Sequence, residues 1–273
     1  MEAIETADRG DIHSGAETQT SDLQNPYSEL RECNSSYIDD SGNFCKADDN
    51  GKTYEVNGEC LPNSTYELND SQYTTDEKGR IVQCNAEPQM TPENPRDFEA
   101  QIASGGADRK PGDQGGHIVG RDMGGDGRTG NLVPMDSRIN QSDYKRMEND
   151  MKKALSEGSA VSMETNITYS GDSKRPDKIV STVKMDGKET AYTFDNNLDG
   201  SLMDDLEKNC SESDIKNVKE VLDDTNGQIS SIKETHADDG NLEQTSVSMT
   251  YVGEDGKNYR TIIVINHSGG TEQ

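Results

Sequence analysis

The chain has 273 residues, with 53 Asp and Glu against 27 Lys and Arg, a net charge of −26. Leu, Ile, Val and Phe together make 41 residues, 15% of the chain, a share that with this charge falls where disorder is expected. No apolar run is long enough to span a membrane, and the acidity argues against a protein that coats nucleic acid by bulk attraction.

One or two modest cores with solvated acidic polypeptide are therefore expected. The first residues, Met1-Glu2-Ala3-Ile4-Glu5, have neither a basic nor an apolar segment of the kind a Sec signal needs. That leaves a cytoplasmic protein, a signal-independent export route, or a chain trimmed of its leader.

Residues 1–62 read as an acidic leader or linker, largely disordered or Cys-containing. Four of the five cysteines, Cys33, Cys45, Cys60 and Cys84, lie in the first third, and Cys210 is isolated. None has C-x-x-C spacing and no histidine sits among the four, which argues against zinc. Two disulfides or four reduced thiols both fit, and three pairings are open.

From Thr65 strand signals begin. Tyr73–Thr75 and Arg80–Val82 flank the turn-rich Asp76-Glu77-Lys78-Gly79 and predict a hairpin. Residues 85–97 hold three prolines and form a connector. Residues 103–130 are glycine-dense, interrupted by a short apolar strand, His117-Ile118-Val119. A second strand is Asn131–Met135. Tyr144, Met147, Met151 and Leu155 recur at helical spacing and predict a helix over about 141–157, stopped by Gly158. Asp186-Gly187 predicts a two-residue turn between strands 178–185 and 188–194. The remainder reads as a helix near 212–222 and a hairpin of 246–252 with 258–266.

Charge divides the chain. Residues 1–100 carry 15 excess acids and residues 191–273 carry 11, whereas residues 101–190 balance 14 cations with 14 acids. Work on a phosphodiester is expected in the neutral middle.

The middle also holds the chemistry-bearing run Gly112-Asp113-Gln114-Gly115-Gly116-His117-Ile118-Val119-Gly120-Arg121. Two glycines before His117 let another group approach the backbone closely. Asn is a neutral oxygen ligand suited to a hard, hydrated cation. A helix starting near Asn140 would put Asn140, Glu148 and Lys152 in one row beside a cleft. Taken singly, each has an ordinary explanation: a polar loop histidine, a helix cap, a solvated helix face.

Together these residues resemble the DNA/RNA non-specific endonucleases, the ββα-metal or His-Me-finger nucleases, in the subgroup found as type VII-secreted and polymorphic-toxin modules. Gly115-Gly116-His117 stands at the Asp-Arg-Gly-His box. Asn131 lies nine residues before Asn140, and Glu148 eight after it. Tyr169–Asp177 and Tyr73–Ile81 also look like the subgroup. The box departs from the broader family: Gln114 stands for its Asp and Gly115 for its Arg. A second set of box letters, Asp8-Arg9-Gly10-Asp11-Ile12-His13, has no Asn-bearing helix after it.

The resemblance implies an α+β protein with a ββα-metal core and an antiparallel sheet over residues 63–195; it does not reach the acidic flanks, of which 196–273 reads as an α+β extension of unassigned role. It implies His117 as general base, Asn131 positioning it or its loop, and an arginine on the phosphate; with Gly115 in the box that role is unassigned, Arg121 being the nearest candidate and Arg109, Arg146 and Lys152 the others. It implies Asn140 and Glu148 at Mg²⁺, replaceable by Mn²⁺, with Arg109, Arg146 and Lys152 as further substrate cations. DNA or RNA would be cleaved to 5′-phosphates with little base selection by a secreted or delivered toxin or extracellular nuclease, and a toxin implies a cognate immunity protein. The alternative, from another class, is a catalytically silent nuclease fold whose acidic flanks bind a basic partner or mimic nucleic acid.

Overall fold

The computed structural model describes residues 26–267. The second set of box letters lies outside them. Strands β1 (Ser36–Ile38), β2 (Phe44–Ala47), β3 (Thr53–Val56) and β4 (Glu59–Cys60) form one antiparallel sheet. The described part of the acidic leader is thus folded rather than disordered. Its hairpin turns are built by the acids themselves. Asp39 Oδ1 accepts from the Ser41 and Asn43 amides, and Asp48 Oδ1 from those of Asn50 and Lys52. Asp76 Oδ1 repeats the device on Lys78 and Arg80. In each Asp-x-x-Gly unit the glycine has a positive φ that closes the turn.

Strands β5 (Thr65–Leu68), β6 (Ser71–Thr75) and β7 (Ile81–Ala86) begin a nine-stranded antiparallel sheet. After them come helix α1 (Phe98–Ala103), strand β8 (Asp113–His117), strand β9 (Leu132–Asp136), a π-turn (Ile139–Tyr144) and helix α2 (Lys145–Ser156). β8 and β9 pair with each other alone, His117 opposite Leu132. The chain then returns to the large sheet as β10 (Val161–Thr168), β11 (Lys178–Met185) and β12 (Lys188–Asp195). β10 alternates strictly, with Val161, Met163, Thr165 and Ile167 inward. β11 and β12 turn through Asp186 and Gly187, both at positive φ.

Helices α3 (Leu202–Asn209) and α4 (Glu212–Thr225) precede β13 (Gln228–His236), β14 (Leu242–Val252) and β15 (Asn258–Asn266). The sheet order is β15-β14-β13-β12-β11-β10-β7-β6-β5, so the C-terminal extension prolongs the same sheet past residue 195. It has its own core, where Leu202, Leu206 and Val218 meet Ile232, Val247 and Met249. The larger core packs Tyr144, Met147 and Met151 among residues such as Met163, Ile179, Tyr192 and Phe194. Tyr54, Tyr66 and Tyr73 stack through it, with ring centroids 4.8 and 5.4 Å apart. Tyrosine and methionine thus do much of the work expected of Leu, Ile, Val and Phe. All five cysteines are free thiols, and Cys45, Cys60 and Cys84 are buried.

Candidate active site

The π-turn and α2 carry one row of side chains along the strand that ends in His117. Their partners advance by two residues on the extended segment for every four on the helix. A Cβ on Gly116 would lie 3.2 Å from Asn140 Oδ1. Tyr144 donates its hydroxyl to the Ile118 carbonyl at 2.8 Å. A Cβ on Gly120 would lie 3.0 Å from Glu148 Oε1. Lys152 pairs with Asp122 at 2.6 Å. The partner segment leaves the strand after His117 and enters a 3-10 turn at Arg121–Met123, where the row ends. At these glycines the space a Cβ would need is crowded first by the side chains of Met135 and Met123 and then by the Asn140 and Glu148 oxygens.

The apolar pair Ile118 and Val119 falls just after the strand, not within it, and is buried in the core. Asn140 is the second residue of the π-turn rather than a helix cap, since the helical turn begins at Ile139. Its Nδ2 donates to Gln114 Oε1 at 2.7 Å. Glu148 Oε2 accepts from Lys145 at 3.0 Å. His117, Asn140, Glu148, Gln114 and Arg121 line one cleft of about 610 Å³.

His117 Nε2 is enclosed and has no hydrogen-bond partner; Nδ1 is not enclosed in this way. Burial, reinforced by the positive charges of Arg121 and Arg96 and opposed by Asp126, pushes the imidazole down to about 4. It is neutral at pH 7.

Several expected roles meet a different environment. Asn131 is fully buried and outside the cleft lining. Its amide donates to the Val119 and Asp126 carbonyls at 2.9 and 2.7 Å and accepts from the Val119 amide and the Tyr73 hydroxyl, both at 2.9 Å. Every site on it is used to hold the 118–126 loop, which suits positioning and not contact with substrate. Arg121 is in the cleft but bound by the Glu93 carboxylate and the Asn94 carbonyl. Arg109 also lines the cleft, and spends its guanidinium on the carbonyls of Gln101, Ile102 and Asp113. Lys152 is held by Asp122 outside the cleft lining, and the exposed Arg146 is not part of that lining either. The cleft residues that pattern reading missed are Arg96, Phe98 and Gln101. They sit on and before α1, which is too short to show periodicity; its one local signal is Asp97, whose side chain caps the helix on the Ala100 amide.

Among the described residues no three His, Cys, Asp or Glu side chains gather into a metal cluster. The donors that do face the cleft are hard oxygens, Asn140 Oδ1 and Glu148 Oε1, neither engaged by a donor within the described residues. That set fits one hydrated Mg²⁺-like ion better than a multiply ligated transition metal.

Two strands, a π-turn and a helix follow one another here, with His117 at the end of the first strand, Asn140 in the turn and Glu148 on the helix. Residues 62–187, a little under half of the chain, match the family model described as DNA/RNA non-specific endonuclease. The Type VII secretion system protein EssD of Staphylococcus aureus strain USA300 is 34% identical over 110 residues, covering 38% of this chain and 18% of that protein. The same protein of strain NCTC 8325 / PS 47, and the Type VII secretion systems protein EssD of strain Newman, match to the same extent. The match therefore spans less than a fifth of these relatives' length. No described helix is long and apolar enough to cross a membrane.

Proposed function

We propose that the cleft hydrolyses phosphodiester bonds of DNA or RNA without sequence selection, with His117 as the general base. The observation that carries this is a neutral, half-buried histidine whose unenclosed Nδ1 shares a cleft with two uncommitted oxygens, Asn140 Oδ1 and Glu148 Oε1. Nδ1 takes the proton of an attacking water. Asn131 keeps the loop behind His117 fixed, and Gln114 keeps the Asn140 oxygen turned to the cleft. Asn140 and Glu148 would hold Mg²⁺, or Mn²⁺ in its place, which when bound supplies neutralisation of the charge developing on phosphate. The P–O3′ bond breaks as the water oxygen bonds to phosphorus, and the leaving 3′-oxygen takes a proton from solvent water, giving 5′-phosphate and 3′-hydroxyl ends. The nuclease module is taken as 63–195, with 1–62 and 196–273 appended.

The likeness to a type VII secretion system protein supports delivery of this nuclease by such a route, and a toxin of that kind would have a tight-binding immunity partner. The test is cleavage of plasmid DNA and of RNA by the purified chain with Mg²⁺ or with chelator, beside His117→Ala. Metal-dependent nicking that His117→Ala abolishes, leaving ends that phosphatase can dephosphorylate, is expected. Equal activity in the two proteins would refute the assignment.

A further inference from the structure

Position 115 cannot carry a side chain. A Cβ there would lie 2.7 Å from both Cα and the carbonyl oxygen of Gln101. Helix α1 packs its backbone directly on β8, and Gln101 Nε2 donates to the Gly115 carbonyl at 3.1 Å. An arginine at 115 is sterically forbidden while α1 sits there. The packing brings another arginine instead, because the residues entering α1 run along the rim of the cleft.

That segment is held rigidly. The Thr91 and Asn94 amides donate to the Asp122 and Arg121 carbonyls, both at 3.1 Å. Asn94 Nδ2 donates to the Gly125 carbonyl at 2.8 Å. The backbone at Pro95 and Arg96 crosses Gly127 where a Cβ would collide with it. Arg96 therefore has a fixed backbone and an exposed side chain that lines the cleft.

The other cations near the cleft are committed: Arg121 to Glu93, Arg109 to three carbonyls, Lys145 to Glu148 and Lys152 to Asp122. Arg96 has no hydrogen bond or ion pair within the described residues; its guanidinium lies over the Phe98 ring, 5.8 Å from the centroid. We propose that Arg96, delivered by the helix that closes position 115, is the residue that grips the non-bridging oxygens of the scissile phosphate. A guanidinium offers paired donors matched to phosphate, and stacking on Phe98 limits the orientations it must give up on binding. The assignment rests on the phosphodiesterase reading and goes beyond it in naming the arginine.

The test compares the full chain with Arg96→Ala and Arg96→Lys. Initial rates on plasmid with Mg²⁺ give kcat and KM. Binding of a fluorescent single-stranded oligonucleotide, measured against NaCl in the His117→Ala background, gives the salt slope. Arg96→Ala should lower kcat/KM by about 10²–10³-fold, as loss of one transition-state donor does. It should reduce the salt slope by about 0.7, one single-strand phosphate contact. Arg96→Lys should restore the slope but not the rate, since a point charge lacks the paired donors. Arg96→Ala within about threefold of the parent, with an unchanged slope, overturns the proposal while leaving the nuclease standing. A parent chain that does not cleave removes the nuclease reading, and the slope then decides alone whether Arg96 contacts phosphate.

Discussion

Asn140 donates through Nδ2 to Gln114 Oε1 at 2.7 Å, and this single bond determines which end of its amide the cleft receives. With the nitrogen committed, Oδ1 is left beside Gly116, one residue before His117. Gln114, at a place where the broader family has an acid, would thus orient the neutral ligand proposed for the metal. Gln114→Leu should leave the fold intact but raise the Mg²⁺ concentration for half-maximal rate by about 10- to 100-fold, the usual cost of losing a supporting bond behind a ligand. Gln114→Glu keeps the acceptor and should lie near or below the parent. Rate against Mg²⁺ for the three proteins is the measurement, and superimposable curves would deny Gln114 this role.

His117 provides a pH signature. His117→Ala should lower kcat by roughly 10²–10⁴-fold with little effect on binding. The free imidazole titrates near 4 rather than 6.5, because burial and the charges of Arg121 and Arg96 outweigh Asp126. The acid limb of kcat/KM should therefore sit well below pH 6.5. An anionic phosphodiester beside the ring favours the imidazolium, so the acid limb of kcat should lie at higher pH than that of kcat/KM. Stability follows the same linkage. Between about 6.5 and 4 the unfolded imidazole binds a proton that the folded one refuses, so stability falls as pH drops through that window. Thermal unfolding across pH 4–7 should show a shallower fall in His117→Ala; identical slopes would mean the ring is not held neutral.

Asn131 behaves as a buried strut. Asn131→Ala would strand the Val119 amide, the Val119 and Asp126 carbonyls and the Tyr73 hydroxyl, a loss of about 3 kcal/mol or more. Tyr73→Phe breaks one of the four bonds and should cost about 1 kcal/mol. Denaturant unfolding separates the two. If Asn131→Ala unfolds like the parent yet loses activity, the residue contacts substrate after all.

The paired positions His117, Asn140 and Glu148 were legible because their spacing is a one-dimensional image of strand, turn and helix. The β11–β12 hairpin was legible through Asp186-Gly187, and the face of α2 through Tyr144, Met147 and Met151. Arg96 was not, because its place depends on α1 lying against Gly115, a contact between distant segments with no periodic trace. The folding of residues 26–62 was hidden for a different reason. The acids there are spent in Asp-x-x-Gly turns and Tyr54 stacks on Tyr66 of the main sheet, so composition counted as disorder what is in fact turn chemistry. Cutting the chain at residue 60 would consequently remove Tyr54 and Cys60 from the larger core instead of merely trimming charge.

The C-terminal extension touches the site through a buried carboxylate. Asp143, in the same π-turn as Asn140, accepts from the Ser230 hydroxyl of β13 at 2.6 Å and from Arg260 of β15 at 3.1 Å. Arg260 also donates to Ser142 Oγ at 3.0 Å. Lys233 of β13 adds an ion pair with Asp150 of α2 at 2.7 Å. A π-turn has weaker internal support than an α-turn, so external ties of this kind should fix where its residues stand. Arg260→Ala removes the ties to Asp143 and Ser142 while that of Ser230 remains. We expect a modest loss of stability, about 1 kcal/mol given the partial exposure of Arg260, and a rise of several-fold in the Mg²⁺ needed for half-maximal rate. Lys233→Ala, whose partner Asp150 is further along the helix, should lower stability similarly without moving the Mg²⁺ requirement. Metal titrations of both variants test this, and a shift of equal size in the two would assign the extension a general stabilising role with no particular hold on Asn140.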